Sequence, residues 1–458
     1  MTNRPIAAII LAAGKGTRMK SDLHKVLHPI AGRPMLLHLI DSVSALEPER
    51  TVVVTGAGRE QVEAAVSPLG VMTVVQGEQL GTGHAVHQAE EALKDSRGGG
   101  FAGDILILYG DVPLVTTATM ARLIERLHGT DQPAAVVLGF RPSDPAAYGR
   151  VIADGDGRIE KMVEYKDASP EERAETLCNS GLMAVRGEDL FALLALVGND
   201  NAAGEFYLPD IVMLAGKDGR VSAVIETDAA EVAGVNSRGE LAAVEASWQH
   251  SRRARAMAEG ATLIAPETVW FAYDTQIGRD VMIEPNVFFG PGTSIADGAT
   301  IHGFSHIEGA TVGPKAEVGP FARLRPGAVM GEKSKVGNFV EMKKAVLGPG
   351  AKASHLTYLG DAEVGPGANI GAGTITCNYD GYFKYKTIIG EGAFIGSNSA
   401  LVAPVSIGAG AMVAAGSVIT ADVEADALAI ARAKQEARPG RAKRFRDVMA
   451  AKKAAAKK

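Results

Sequence analysis

The chain has 458 residues, of which 46% are apolar and 22% charged, and its formal net charge is -6. These are the proportions of a globular protein, and the length points to about three domains rather than one core. No apolar stretch approaches the roughly 20 residues of a membrane span. Two widely separated cysteines, Cys178 and Cys377, argue against a disulfide framework or a cysteine metal cluster.

The first element, Ile6–Leu11, starts directly after a short polar lead with no separate apolar signal segment, so a cytoplasmic protein is expected. Strands at 51–55, 71–75 and Asp104–Tyr109 follow. They alternate with helices at Met35–Ser44, 60–66, 84–93 and 118–127. The strands are solid β-branched and leucine runs, as expected when helices cover both faces of a parallel sheet. After 134–140 the pattern becomes mixed, with strands expected at Arg150–Ala153, 161–164 and 181–185.

Residues 237–259 read as one helix, with Leu241, Val244, Trp248 and Met257 roughly at helical spacing, ended by Gly260. It is read as a connector, giving domains of 1–238 and 260–458 joined by 239–259.

From about Ile277 to Ile419 an aliphatic residue returns every sixth position. One run is Ile277, Ile283, Phe289, Ile295, Ile301 and Ile307; another is Ile389, Ile395, Leu401, Ile407, Val413 and Ile419. A period of six fits neither helix nor free strand. It fits a solenoid whose short strands each bury one side chain and then turn a corner. The rhythm slips to five near 342–346 and 359–363, on either side of His355. A longer loop is inserted near 377–386. The last segment, 432–458, carries eleven Lys/Arg against two acids, leaving the rest of the chain near -15. Beyond about Gly440 it reads as a frayed, solvated terminus, not a nucleic-acid surface.

Chemistry concentrates in two places. Leu11-Ala12-Ala13-Gly14-Lys15-Gly16-Thr17-Arg18-Met19 follows the first strand, where glycines let backbone N–H groups approach an anion and Lys15 and Arg18 supply charge. It is neither a Walker A loop nor a full dinucleotide fingerprint, since Met19 occupies the third glycine position. Lys25 follows. Leu108-Tyr109-Gly110-Asp111 ends a strand with a carboxylate suited to Mg²⁺. A third loop holds Gln76 for amide-to-base pairing, with Gly81 and Thr82 as a small-residue floor; His84 beside it is read as structural. In the solenoid, Arg325, Lys343, His355 and Lys384 form a plausible phosphate-plus-base set. The coil edge could alternatively be a passive scaffold.

These motifs together resemble the sugar-1-phosphate nucleotidyltransferases. With a hexapeptide solenoid added, the whole chain resembles the bacterial bifunctional N-acetylglucosamine-1-phosphate uridyltransferase/glucosamine-1-phosphate acetyltransferase family. The distinctive stretches are Phe321-Ala-Arg-Leu-Arg325-Pro-Gly, Gly337-Asn-Phe-Val-Glu341-Met-Lys343-Lys, His355-Leu-Thr-Tyr358-Leu-Gly-Asp361 and Asn369-Ile-Gly-Ala-Gly-Thr-Ile-Thr-Cys-Asn378-Tyr379-Asp-Gly. The fold it implies is an α/β Rossmann-like nucleotidyltransferase domain, a connecting helix and a left-handed parallel β-helix of hexapeptide repeats.

By the same resemblance, Leu11, Ala12, Ala13, Gly14, Gln76, Gly81, Thr82, Tyr109 and Gly110 would hold UTP, and Arg18 and Lys25 would neutralise its phosphates. Asp111 and Asn236 would hold Mg²⁺, while Gly149, Glu164 and Asn179 would bind the sugar. His355 would be the general base of acetyl transfer, with Glu341 suggested as its orienting group. Arg325, Lys343, Tyr358 and Asn369 would bind glucosamine-1-phosphate. Ala372, Asn378, Tyr379, Ser397, Ala415 and Arg432 would contact acetyl-CoA. A homotrimer whose acetyl site lies between subunits is implied, with UTP and acetyl-CoA as co-substrates and no nucleic-acid or membrane partner. A monofunctional nucleotidyltransferase with a structural or regulatory solenoid is the alternative.

Overall fold

The structure, a computed structural model, describes residues 4–94, 98–145, 148–217 and 219–456. The chain divides into two compact units. One comprises residues 1–254 with 271–273, the other 255–270 with 274–458. None of the helices among the described residues is long and apolar enough to cross a membrane.

The first unit is built on a nine-stranded sheet of β1 (Ile6–Leu11), β2 (Arg50–Thr55), β3 (Met72–Val75), β4 (Asp104–Tyr109), β5 (Ala135–Phe140), β6 (Arg150–Ala153), β7 (Ile159–Val163), β8 (Cys178–Arg186) and β9 (Ala223–Thr227). The main order is β9-β5-β8-β4-β1-β2-β3, with β6 and β7 branching from β8. β4, β1, β2 and β3 pair in parallel, so the ends of the first three good strands and of β4 open on one edge. β8 runs antiparallel between β4 and β5, which makes the sheet mixed where the sequence pattern lost its alternation. Two cores, one on each face, bury alternate residues of the same strands: Ile9, Val52 and Ile107 on one side, Ala8, Val53 and Leu106 on the other. Two-sided burial is why these strands read as continuous apolar runs.

Details differ from the sequence reading, among them the unanticipated helices Gly187–Leu194 and Asp210–Lys217. The helix expected over 84–93 is two short ones, Thr82–His87 and Glu90–Leu93. β9, short and preceded by turn residues, was not anticipated. The helix read as a connector spans Arg238–Ala258, and its residues to Ala254 belong to the first unit. Ser237 Oγ accepts the Glu240 N–H at 3.3 Å, and the Glu240 carboxylate accepts the Asn236 N–H at 2.7 Å. This reciprocal capping fixes Asn236 just ahead of the helix. Val244 packs with Met19, Met35 and Val235, so Met19, in the place of a fingerprint glycine, anchors the loop in a small core.

The second unit is a left-handed β-helix of three parallel sheets with ten, eight and eight strands among the described residues. Coil length is not constant: Ile277 pairs with Ile295, and Ile295 in turn with Val312, one position nearer. The aliphatic series is interior: Ile283, Phe289, Ile301, Leu324, Met342, Ile395 and Leu401 are fully buried. Five-residue steps occur at three places, Ile307 to Val312, Met342 to Leu347 and Leu359 to Val364, always between the same two sheets. The slips flanking His355 are therefore a recurrent form of one corner, not a signature of chemistry. The inserted loop lies in an extended coil, in which Thr376 pairs with Leu401. The basic terminus is a helix, Arg441–Ala455, exposed along its length, where a frayed tail was expected.

Candidate functional site

In the first unit the site forms at the carboxyl ends of β1, β2, β3 and β4. Ala12 N–H donates to Val54 O at 2.8 Å and Gly110 N–H to Leu11 O at 2.9 Å, so the signature loop leaves the sheet still tethered to both neighbours. Gly16 sits at φ 62°, and a Cβ there would lie 2.5 Å from Lys25 Cβ. Only glycine meets both demands, and its absent side chain is the space that Lys25 uses.

The Lys25 ammonium donates to Asp111 Oδ2 at 2.5 Å and to Asn236 Oδ1 at 3.1 Å. Three residues far apart in sequence thus converge, two of them oxygen donors already gathered around a cation. Two protein oxygens suit Mg²⁺, which rarely takes a full protein cage and completes its shell with water or phosphate oxygens. No group of three or more His, Cys, Asp or Glu among the described residues could hold a metal by itself. Arg18 and Lys15 are exposed on the same loop, free of ion pairs among the described residues.

A cleft of about 470 Å³ opens between Lys15, the 56–60 turn, Gln76, Gly77 and Gln79. Gln79 Nε2 donates to Ala13 O at 2.7 Å, a tie on the signature loop that sequence reading missed. Gln76 is buried, and its Nε2 reaches Gly81 O and His84 Nδ1, each at 3.1 Å. His84 lies between the Gln76 and Gln88 amides, in keeping with a structural role. Thr82 Oγ accepts the Leu208 N–H at 3.0 Å and also hydrogen-bonds the Tyr109 hydroxyl. Burial pushes the Tyr109 phenol above its usual range, the Thr82 hydrogen bond opposes this, and Asp111 and Glu164 add to it. Arg238 Nε donates to Met19 O at 3.2 Å and its Nη1 meets His28 Nδ1 at 3.2 Å. The connector helix thereby holds the signature loop from below, a link no local motif announced.

A second cavity, about 270 Å³, is lined by Gly149, Glu164 and Asn179 together with Asp167, Tyr207 and Asp210. The three expected sugar contacts are therefore brought together. Burial, reinforced by Asp167 and Asp210, pushes the Glu164 carboxyl up from its ordinary range.

In the second unit one corner of the β-helix stacks the expected residues coil upon coil. Leu356 N–H donates to Asn338 O at 3.0 Å, Asn398 N–H to Ala372 O at 2.7 Å and Gly416 N–H to Ser397 O at 2.8 Å; Gly373 N–H reaches His355 O at 3.4 Å. Asn338, His355, Ala372, Ser397 and Ala415 are thus equivalent positions on successive coils. Arg432 Nη1 donates to Ala415 O at 2.5 Å, closing that end of the column. His355, expected to be the base, and four of the acetyl-CoA candidates share one edge.

On the adjoining face, Arg325 Nη1 donates to Glu341 Oε1 at 2.7 Å, and Glu341 pairs in register with Tyr358. Lys343 is held below the usual lysine range, first by its side-chain contact with Lys384, then by that ammonium's charge, with burial and Arg325 contributing less. Three crowded cations, one of them paired with Glu341, are the kind of group that suits an anion. Asn378 is buried and donates to Asp361 Oδ2 at 2.5 Å, while Tyr379 is exposed on the inserted loop. Asn369 is not brought to the cations; it pairs with Lys352 on a different face. Glu341, suggested as the orienting group, is paired with Arg325 and has no hydrogen bond to His355 among the described residues. Instead Asn338 Oδ1 lies 2.5 Å from His355 Nδ1. Asn338 was missed; counting back one coil from His355 finds it.

Comparisons with known proteins agree with this division. Residues 8–164 match the MobA-like NTP transferase domain. Residues 274–309 match the bacterial transferase hexapeptide (six repeats), and 386–421 the hexapeptide repeat of succinyl-transferase. A protein from Sphingopyxis alaskensis named Bifunctional protein GlmU is 68% identical over 456 residues, covering 100% of both chains. One of the same name from Rhizorhabdus wittichii is 69% identical over 457 residues, again 100% of both. That of Zymomonas mobilis is 61% identical over 446 residues, 97% of this chain and 98% of its own. With two transferase folds matched in order and full-length identity at this level, the chain belongs to the bifunctional GlmU family.

Proposed function

We infer that the two activities of this bifunctional uridyltransferase and acetyltransferase act in sequence to make UDP-N-acetylglucosamine. Acetyl-CoA first acetylates glucosamine-1-phosphate in the β-helix. UTP then gives its uridylyl group to N-acetylglucosamine-1-phosphate in the first unit, with release of pyrophosphate. The product is of the kind consumed in peptidoglycan and lipopolysaccharide synthesis, and we take the working location to be cytoplasmic and the working form to be a homotrimer.

In acetyl transfer, Arg325, Lys343 and Lys384 bind the sugar phosphate. His355 Nε2 takes a proton from the amine as its nitrogen forms a bond to the thioester carbon. The carbon–sulfur bond then breaks, and the proton passes to the departing sulfur of CoA. Histidine is the side chain most often used for general acid–base work at neutral pH, which suits this exchange. In uridylyl transfer, the sugar phosphate oxygen attacks the α-phosphorus of UTP in line, and pyrophosphate leaves. Such a step needs alignment and neutralised charge more than a nucleophile–base pair. Arg18 and Lys25 supply cations to the triphosphate, and Gly149, Glu164 and Asn179 orient the sugar. Asp111 and Asn236 would hold Mg²⁺, which when bound adds charge neutralisation at the phosphates.

The column that sets His355 in line with Ala372, Ser397 and Ala415, beside three cations, carries the acetyl-transfer reading. It favours two working activities over a β-helix that only assembles the enzyme. We predict that His355→Ala abolishes CoA release from glucosamine-1-phosphate and acetyl-CoA yet leaves uridylyl transfer intact, and that Asp111→Ala does the reverse. Undiminished CoA release in the first variant, or undiminished pyrophosphate release in the second, overturns the corresponding assignment.

A further inference from the structure

His355 has two ring nitrogens, and only one of them can serve the amine. Asn338 Oδ1 lies 2.5 Å from Nδ1. An amide oxygen accepts and never donates, so Nδ1 must carry the hydrogen and Nε2 must keep its lone pair. His355 is exposed, leaving that lone pair open to a ligand.

The pairing is imposed by the coil. Asn338 and His355 are register partners in neighbouring parallel strands. Each precedes a left-handed corner residue, Phe339 at φ 57° and Leu356 at φ 50°, so the two side chains leave equivalent backbone positions. Gly337 lets these strands close up, since a Cβ there would overlap the Ser354 carbonyl oxygen. The charged groups on the packed coils are otherwise engaged. Lys335 pairs with Glu317 at 2.6 Å and Glu341 with Arg325 at 2.7 Å, while Lys352, Arg325 and Lys343 are cations that cannot accept from Nδ1. Among the described residues, the hydrogen-bond acceptor at His355 Nδ1 is a neutral amide.

That neutrality has a consequence. A carboxylate in the same place would also fix the tautomer, but it would stabilise the imidazolium and hold the proton that His355 must return to CoA. We propose that Asn338 is a positioning residue for acetyl transfer, one that fixes the reactive tautomer of His355 without raising its basicity. The proposal rests on the reading of His355 as the general base.

The test uses full-length Asn338→Ala, Asn338→Asp and His355→Ala. Asn338→Ala should lower the acetyl-transfer kcat by about tenfold or more, part of the 10²–10⁴ that a positioned base contributes. Its KM for both substrates, its affinity for acetyl-CoA and its uridylyl transfer should stay within about twofold of wild type by the same logic. Asn338→Asp keeps the acceptor. It should recover rate over Asn338→Ala at alkaline pH, with the acid limb of its kcat/KM profile moved to higher pH than wild type. An Asn338→Ala enzyme at full kcat, with His355→Ala inactive, overturns the role of Asn338 alone. So does equal impairment of Ala and Asp variants with an unmoved profile, which marks a purely structural residue. Full acetyl transfer by His355→Ala overturns the base itself and the positioning role with it.

Discussion

Glu164 carries a cost set by its neighbours. Burial comes first, then the charges of Asp167 and Asp210, and together they raise its pKa in the folded state above the ordinary 4.5. For an acid so shifted, the folded protein binds more protons than the unfolded chain between the two values. Stability therefore falls as pH rises through that window, and the penalty is complete above the raised pKa. Glu164→Gln removes it. The variant's Tm should exceed that of wild type by a margin that is small near pH 4, grows above about 4.5 and then levels off. Thermal melts across pH 4 to 8 check this; a margin independent of pH would contradict it. The same residue is expected to touch the sugar, so uridylyl transfer should weaken while stability improves, the usual exchange at a functional site.

Elements explain which residues could be read in advance. The six-residue rhythm was legible because every face of the β-helix repeats the same local problem, one interior side chain and one corner. The loop from Leu11 to Met19 was legible because backbone approach to phosphate needs glycine wherever it occurs. Asn338 was hidden for a different reason. Its partner lies one coil away, and that coil is a position shorter than the one from Ile277 to Ile295, so the pairing depends on a corner whose length varies. Arg238 and Gln79 reach their partners Met19 and Ala13 across long stretches of chain, separations that no local pattern encodes. Glu341 looked apt to orient His355 because it is an acid in the right stretch; Arg325, one coil back, claims it first.

The same elements supply a direct test of packing. Alanine at Gly337 would place a methyl group on the Ser354 carbonyl oxygen, between two strands that cannot part without disturbing the coils on either side. Overpacking of this kind costs about 1–3 kcal/mol. Gly337→Ala should lower the melting temperature of the acetyltransferase activity and reduce that activity at room temperature. Uridylyl transfer should melt as in wild type. Identical melting of the acetyltransferase activity in variant and wild type would show that the strands can part.

At the scale of the whole molecule, chemistry is divided between two compact units with different architectures. The intermediate N-acetylglucosamine-1-phosphate is a small anion that can leave one and enter the other through solution. An equimolar mixture of His355→Ala and Asp111→Ala enzymes should therefore convert glucosamine-1-phosphate, acetyl-CoA and UTP to UDP-N-acetylglucosamine. Each variant alone should make none. Failure of the mixture, with each variant retaining its own activity, would mean that the intermediate is not free to exchange.

The extended coil bears on how such a protein can change. Its three faces keep their partners on the next coil, with Val364 on Ile389, Ile370 on Ile395 and Thr376 on Leu401, although the inserted loop lies within it. The load-carrying column passes through the insertion as if it were not there. Tyr379 and Lys384 ride on the excursion like fittings bolted to the outside of a beam. Such fittings can be changed without recutting the timber, so substitutions at Tyr379 or Lys384 should alter acetyl transfer while leaving the pairing of the coils intact.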